Sequence, residues 1–172
     1  PTERTEDYWE GAVTWLVDLR NKVVQRPERR RSRQESVDAI RLPEPVAEML
    51  FRLRPRQLMA GGISFEDGED TVMIDEGKRV SVVKPSDEAI ELALLYAQSK
   101  WGDVLHIEGT DEFKIRAAEV AGRAGMEVSF DEEWVQVHRN KAQRESKVLE
   151  DKQGIKPEYR DLRHSSHEDH SR

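Results

Sequence analysis

The sequence predicts an α+β protein, an α/β sandwich in which a β-meander precedes an α-β-α-β segment with both helices on one face of the sheet. Three observations lead to this prediction. Apolar residues near the N-terminus recur every three or four positions, as on one face of an amphipathic helix. Short runs of β-forming residues in the middle are separated by glycine-containing turns, and two further strands alternate with helical segments. Right-handed β-α-β connections would place the two helices on the same side of the sheet.

The N-terminal part is predicted to be a helical extension. The first helix is expected over residues 6–25, with Thr5 as its N-cap, because Pro27 cannot continue a helix. A second helix should begin near Pro45, since proline is favoured at the first helical position, and it should end at Pro55.

The β-meander follows directly, and its predicted strands are residues 63–65, 71–74 and 79–83. The turns between them, residues 67–69 and 75–78, each contain a glycine that can adopt positive φ. This spacing is typical of consecutive antiparallel hairpins.

The α-β-α-β segment is delimited by helix caps. Ser86 is expected to cap a helix that ends at Gly102, and Thr110 is expected to cap a second helix that ends at Gly125. The predicted strands are residues 104–107 and 127–130. Structural roles are assigned to Trp101, Gly102, Gly109, Thr110, Phe113 and Gly125. Trp101 is expected to be buried on the apolar face of its helix.

Charge and composition divide the chain into three predicted segments. Residues 1–62, the helical extension with an arginine-rich linker, carry 12 basic and 10 acidic side chains. Residues 63–131, a compact acidic α/β domain, carry 7 basic and 16 acidic side chains. Residues 132–172 carry nine of each and are predicted to form a polar helix followed by a disordered tail.

Several classes of protein are excluded by composition. The 172 residues contain no cysteine, so disulfides, thiolate zinc sites and cysteine nucleophiles are ruled out. No apolar run is long enough to span a membrane, and the protein is not expected to bind membranes. The start at Pro1, without an apolar leader, suggests an excised, cytoplasmic fragment of a longer protein.

The middle of the chain resembles a known module. The residues that carry the resemblance are Ser86 to Ala89, Lys100 to Gly102, Leu105 to Ile107, Gly109 to Phe113 and Ala124 to Met126. This order of helix, Trp-Gly, strand, Gly-Thr-x-Glu-Phe, helix, Gly and strand is similar to the seventh type of large polyvalent protein-associated domain. Such domains occur in conjugative relaxases, plasmid primases and very large phage or plasmid polyproteins. The resemblance implies a setting in plasmid mobilisation and assigns no catalytic residue.

Two charged clusters are candidate binding sites. The arginine segment is expected to contact DNA weakly and without sequence preference, and it comprises Arg26, Arg29, Arg30, Arg31 and Arg33. An inert solubilising linker is the alternative. The acidic cluster could dock a basic protein, although a solvated turn surface is favoured, and it comprises Glu66, Asp67, Glu69, Asp70, Asp75 and Glu76. The spacing of these carboxylates does not match a calcium-binding loop.

No cofactor or functional metal is predicted. His164, His167 and His170 could bind a metal adventitiously, but this tail offers no core that would hold the ligands in place. Cleavage of DNA by a relaxase tyrosine requires a set of convergent histidines, and no His-x-His pair occurs here.

The favoured function is therefore a non-catalytic accessory domain of a conjugative relaxase or another plasmid mobilisation protein. Its expected partners are proteins of the transfer or type IV secretion machinery, and single-stranded DNA through the arginine segment.

Two alternatives stay open. The first is a domain that binds single-stranded DNA on a sheet face, for which the strands offer Phe65, Phe130 and Lys84. The second is an enzyme with an unrecognised site, for which the polar set is Asp103, His106 and Glu108.

Overall fold

The computed structural model describes residues 2–23 and 39–153, with side chains from Tyr8 onward, and confirms the α+β class. Its helices are α1 (Thr2–Lys22), α2 (Glu44–Arg52), α3 (Asp87–Trp101), α4 (Asp111–Ala124) and α5 (Glu133–Gln153). Its strands are β1 (Arg54–Gln57), β2 (Ile63–Asp67), β3 (Asp70–Asp75), β4 (Val80–Val82), β5 (Val104–Leu105) and β6 (Ser129–Phe130). The arginine segment and the histidine-containing tail lie outside the described residues.

The chain forms two compact units. Among the described residues, the first comprises residues 2–21 and 44–100, and the second comprises residues 22–23, 39–43 and 101–153. These units are defined by packing, whereas the three segments in the sequence analysis were defined by charge and composition. The division into those segments stays a prediction.

The first unit contains an antiparallel sheet in the order β1-β2-β3-β4. Strands β2 to β4 form the predicted meander, but β1 was not predicted. The sequence analysis treated Pro55 as the end of a helix, whereas Pro55 lies within β1, opposite Phe65 of β2. Proline is tolerated there because β1 is an edge strand, where a missing N–H need not break the ladder.

The core of the first unit lies on one face of this sheet. Phe65 and Met73 point to that face and are fully buried. Helices α1 and α3 contribute Trp15 and Tyr96, whose rings lie 5.7 and 5.1 Å from the Phe65 ring between centroids. These edge-to-face contacts add to the burial of each aromatic ring, which by itself contributes about 1.5–3 kcal/mol for a side chain such as Phe.

Helix α3 begins at the predicted cap. The Ala89 amide donates to Ser86 Oγ at 3.1 Å. Asp87 and Glu88 lie in the first turn, where carboxylates interact favourably with the helix dipole. The helix ends before Gly102, whose φ of +92° favours glycine.

The second unit contains a separate two-stranded parallel sheet. Val104 of β5 is opposite Ser129 of β6, and Leu105 is opposite Phe130. The sequence predicts both helices on one face of a single α/β sandwich. The α+β class is confirmed, but the strands form two sheets, and β4 and β5 belong to different sheets and different units.

Helices α4 and α5 pack closely in the second unit. The approach is closest at Gly122, which is buried. A Cβ atom on this residue would lie 2.3 Å from the carbonyl oxygen of Arg139 and 2.9 Å from the Cβ of Ala142. Only glycine therefore fits at this crossing without displacing a backbone.

Helix α1 ends three residues earlier than predicted. Val23 forms a parallel bridge with Ile40, and the Ile40 amide donates to the carbonyl oxygen of Lys22 at 2.8 Å. This pairing draws the chain out of the helix before Gln25. None of the helices in residues 2–23 and 39–153 has the length and apolarity needed to cross a bilayer.

Candidate functional site

A carboxylate is buried in the first unit, that of Asp75, whose side chain is 2% exposed. It accepts hydrogen bonds from the Tyr96 hydroxyl, from the Gly77 amide at 2.8 Å and from Lys100 Nζ, which is 2.8 Å from each carboxylate oxygen. Burial raises the pKa of the Tyr96 hydroxyl far above its usual range, and the hydrogen bond and negative charge of Asp75 act in the same direction.

The sequence places these groups together for simple reasons. Asp75 is the last residue of β3 and lies two residues after Met73, so both side chains point to the core face of the sheet. Tyr96 and Lys100 are four residues apart and therefore lie on the same face of α3. Lys100 Nζ also lies 5.2 Å from the centroid of the Tyr8 ring. This network connects the β3–β4 turn to α3.

Asp75 was predicted to belong to an exposed acidic docking cluster, and the structure instead buries it. Four other members of that cluster pair with basic side chains of the same unit. These ion pairs are Glu66–Arg56, Asp67–Arg52, Asp70–Lys84 and Glu76–Arg79. Hydrogen bonds from the arginines lower the pKa of Glu66, Asp67 and Glu76. Glu69 is exposed. The docking role of the cluster stays a prediction, and its charge is in large part compensated within the chain.

A second polar cluster lies in the second unit, where the parallel strands end. His106 directly follows β5, and Asp131 directly follows β6. Because the strands are parallel and in register, their carboxyl ends meet at one edge. His106 Nδ1 is 3.0 Å from both carboxylate oxygens of Asp131, and His106 Nε2 is 3.9 Å from Glu108. Ligand sites of α/β sheets are found at such carboxyl ends.

The charges around this pair are mostly negative. Lys114 Nζ is 2.8 Å from Glu132, and this hydrogen bond raises the pKa of Lys114, with Asp111 and Asp131 acting in the same direction. The same bond lowers the pKa of Glu132. We call this surface the carboxylate edge, and it comprises His106, Glu108, Asp111, Lys114, Asp131 and Glu132. Four carboxylates outnumber one lysine and one histidine there, so the edge is acidic at neutral pH.

An exposed aromatic ring adjoins the carboxylate edge. Lys114 Nζ lies 5.9 Å from the centroid of the Trp134 ring, and Trp134 packs edge-on against His138 at 6.1 Å. Trp134 is 38% exposed. Tryptophan is strongly represented among the residues that dominate protein–protein binding energies. The edge thus combines negative charge with an apolar anchor.

The charged side chains of the carboxylate edge form ion pairs and hydrogen bonds with one another. In the part of the chain that the structure describes, no hydroxyl group hydrogen-bonds His106. Among the described residues there is also no group of three or more side chains arranged to hold a metal ion. Of the polar set suggested for an enzyme, Asp103 precedes β5, whereas His106 and Glu108 follow it.

The residues with predicted structural roles lie around α4 and at the end of α3. Thr110 Oγ1 accepts from the Phe113 amide at 3.1 Å, and Gly125 ends α4 with φ of +69°. Gly109 lies against the half-buried Phe113 ring. Trp101 differs from the expectation, since 45% of it is exposed. Trp101 is the last residue of α3, and there it is not buried with the other apolar residues of the helix face on which the sequence period placed it.

Other candidate residues lie outside the described part of the chain. They are Arg26, Arg29, Arg30, Arg31, Arg33, His164, His167 and His170. The sequence analysis missed the pairing of His106 with Asp131. A signal was available, because both residues fall at or next to the ends of predicted strands, but the parallel pairing had to be known first.

The chain was compared with known proteins. The family model of the large polyvalent protein-associated domain 7 matches residues 51–146. This range extends from the end of α2 into α5 and includes the whole carboxylate edge. No curated protein and no solved structure matches the chain.

Proposed function

Because the chain belongs to the large polyvalent protein-associated domain 7 family, we propose that it is a non-catalytic accessory domain of a conjugative relaxase or another plasmid mobilisation protein. In this role it assists DNA processing or transfer through contacts with other proteins. The partners we propose are components of the transfer or type IV secretion machinery in the bacterial cytoplasm. The domain would then enter the recipient cell together with the protein that carries it.

The carboxylate edge is the observation that carries this proposal. Side chains of Glu108 and Asp131 are 68% and 48% exposed, so they are available to a partner. Residues 103–133 contain nine acidic and three basic side chains, so the surrounding surface repels nucleic acid and attracts basic protein surfaces. The exposed Trp134 ring gives such a partner an apolar contact beside the charges.

DNA contact in this proposal is weak and comes from the arginine segment. It is supported by sequence alone, since five arginines within eight residues are able to neutralise several phosphates. Binding of this kind has no sequence preference and decreases steeply as salt is added.

The docking chemistry is tested with a basic peptide as the probe. Fluorescein-labelled nona-arginine is titrated with the chain at low salt, and anisotropy is measured for the wild type and for Glu108→Gln/Asp131→Asn. Exposed charge pairs each contribute about 0.5 kcal/mol. The double variant should therefore bind the peptide roughly fivefold more weakly.

The matched control is Glu145→Gln/Asp151→Asn, which removes two exposed carboxylates of α5 away from the edge. Equal affinity of the edge variant and the wild type would refute docking at the carboxylate edge. Equal weakening by both double variants would show that only net charge matters, and would also contradict the proposal.

A further inference from the structure

Strand β1 carries a local excess of positive charge in a unit that is otherwise acidic. Arg52, Arg54 and Arg56 occur within five residues at the end of α2 and in β1. Arg54 and Arg56 are two residues apart in a strand and therefore project from the same face of the sheet. That face is opposite the core face, and β1 is the edge strand.

The ion pairs of this region leave cationic groups exposed. Arg52 binds Asp67 through two hydrogen bonds of 2.9 Å, and its side chain is still 52% exposed. Arg56 binds Glu66 at 2.9 Å and is 62% exposed. A guanidinium has five N–H donors, so each arginine keeps donors for a further acceptor. The carboxylates hold these two guanidiniums in position.

Arg54 differs from its neighbours. It is exposed and forms no ion pair with any residue in the described part of the chain. Its positive charge acts on Arg20, which donates from Nε to the Leu50 carbonyl oxygen at 3.2 Å and also to the Leu53 carbonyl oxygen. Burial lowers the pKa of Arg20, and the positive charge of Arg54 lowers it further. Two guanidiniums that repel each other are stabilised by a shared anion.

An exposed aromatic residue precedes the three arginines in the sequence. Phe51, the residue before Arg52, is 40% exposed. The aromatic residues that the sequence analysis considered for DNA binding do not serve, since Phe65 and Phe130 are buried. Lys84, considered with them, follows β4, which lies at the other edge of the sheet from β1. Basic side chains beside an exposed aromatic ring form the usual platform for an unpaired nucleic-acid strand, because phosphates bind the cations and a base stacks on the ring.

We propose that the outer face of β1 binds single-stranded nucleic acid, with Arg54 and Arg56 on the phosphates and Phe51 stacked on a base. Arg52 supplies additional positive charge at the start of the strand. This site goes beyond the accessory role, because it is formed by β1 and the end of α2 and does not use the arginine segment at residues 26–33.

The test uses the full chain and a labelled twenty-nucleotide oligothymidine, with anisotropy measured over a salt series. Arg54→Glu should weaken binding at low salt roughly fivefold, and the slope of log affinity against log salt should decrease by about 0.7 for one lost phosphate contact. Phe51→Leu keeps an apolar side chain but removes the ring. It should weaken binding to the single strand and leave binding to a duplex of equal length unchanged.

Controls separate this site from the arginine segment. Lys147→Glu makes the same charge change on an exposed position of α5 and should leave the affinity within about twofold, since one distant charge is screened. A variant with all five arginines of the segment changed to alanine should retain binding that Arg54→Glu then removes. If that variant binds no DNA at all, the β1 site is refuted and the arginine segment is supported.

The opposite result distinguishes the two proposals. Wild-type affinity in the five-alanine variant would remove the arginine segment from the proposed function and leave the β1 site standing. Duplex binding as tight as single-strand binding would contradict the stacking of a base on Phe51. If Arg54→Glu changes the thermal unfolding curve, Arg54→Gln is used in its place, because it removes the positive charge without introducing a negative one. Unchanged affinity for the oligonucleotide in Arg54→Gln would overturn the proposal.

Discussion

Removal of the buried charge of Asp75 gives the sharpest prediction for stability. Asp75→Asn keeps the shape of the side chain but deprives Lys100 of its carboxylate partner. It also places an amide nitrogen among groups that donate, the Tyr96 hydroxyl and the Gly77 amide. The first unit should therefore lose both an ion pair and at least one well-matched acceptor.

The expected loss follows from the burial of the two partners. Breaking a buried ion pair by removing one partner costs about 3–5 kcal/mol. The side chain of Lys100 is 18% exposed and so regains some hydration, which places the loss at the lower end, about 3 kcal/mol. With an m-value of about 2 kcal/mol/M, the urea midpoint should decrease by roughly 1.5 M.

Urea unfolding followed by circular dichroism measures this loss. Asp70→Asn is the matched control, because Asp70 pairs with Lys84 at the surface, where both side chains are more than 60% exposed. Such a pair contributes about 0–1 kcal/mol. Superimposable curves for Asp75→Asn and the wild type would refute the structural role of the network, as would an equal shift in Asp70→Asn.

Further predictions concern pH and packing. Because the pKa of Tyr96 is raised in the folded state, the unfolded chain loses the hydroxyl proton at a lower pH than the folded chain does. The free energy of unfolding of the wild type should therefore decrease as the pH rises above about 10. Tyr96→Phe should show a smaller decrease when the free energy of unfolding is measured across the same pH range. Gly122→Ala should lower the free energy of unfolding in urea by about 1–3 kcal/mol, because the added Cβ would clash with the backbone of α5. Gly11→Ala is the control: a Cβ at Gly11 would have no other atom within 4 Å, so this change should be neutral or stabilising. Trp101→Ala should retain a cooperative melt with a small shift, whereas Trp15→Ala, which removes a half-buried ring packed against Phe65 and Tyr96, should cost about 3 kcal/mol. A larger loss for Trp101→Ala than for Trp15→Ala would contradict the exposed position of Trp101.

Local patterns predicted the helices well because caps are local chemistry. Ser86, Thr110 and Gly125 each act within one turn of the helix end they define, so their roles are readable from a few neighbouring residues. Strand β1 was missed because Pro55 stops a helix equally well whether a loop or an edge strand follows. Only the position of the strand in the sheet distinguishes these cases.

Long-range pairing was not predictable from the same patterns. The sequence indicates that β5 and β6 exist but not that they form their own sheet, and therefore not that His106 meets Asp131. The burial of Asp75 had a usable signal in the sequence. Asp75 lies two residues after the apolar Met73 in a strand, and residues two apart in a strand point to the same face. The acidic neighbours obscured that signal, because they made the whole turn look solvated.

We propose that this domain assists transfer and does not itself cut DNA. The most direct measurement introduces Glu108→Gln/Asp131→Asn into the mobilisation protein that we propose carries the domain, and records strand cleavage and plasmid transfer in parallel. We expect cleavage at the wild-type rate and a clear decrease in transfer frequency. Loss of cleavage with the protein still folded, or normal transfer together with normal cleavage, would contradict the account.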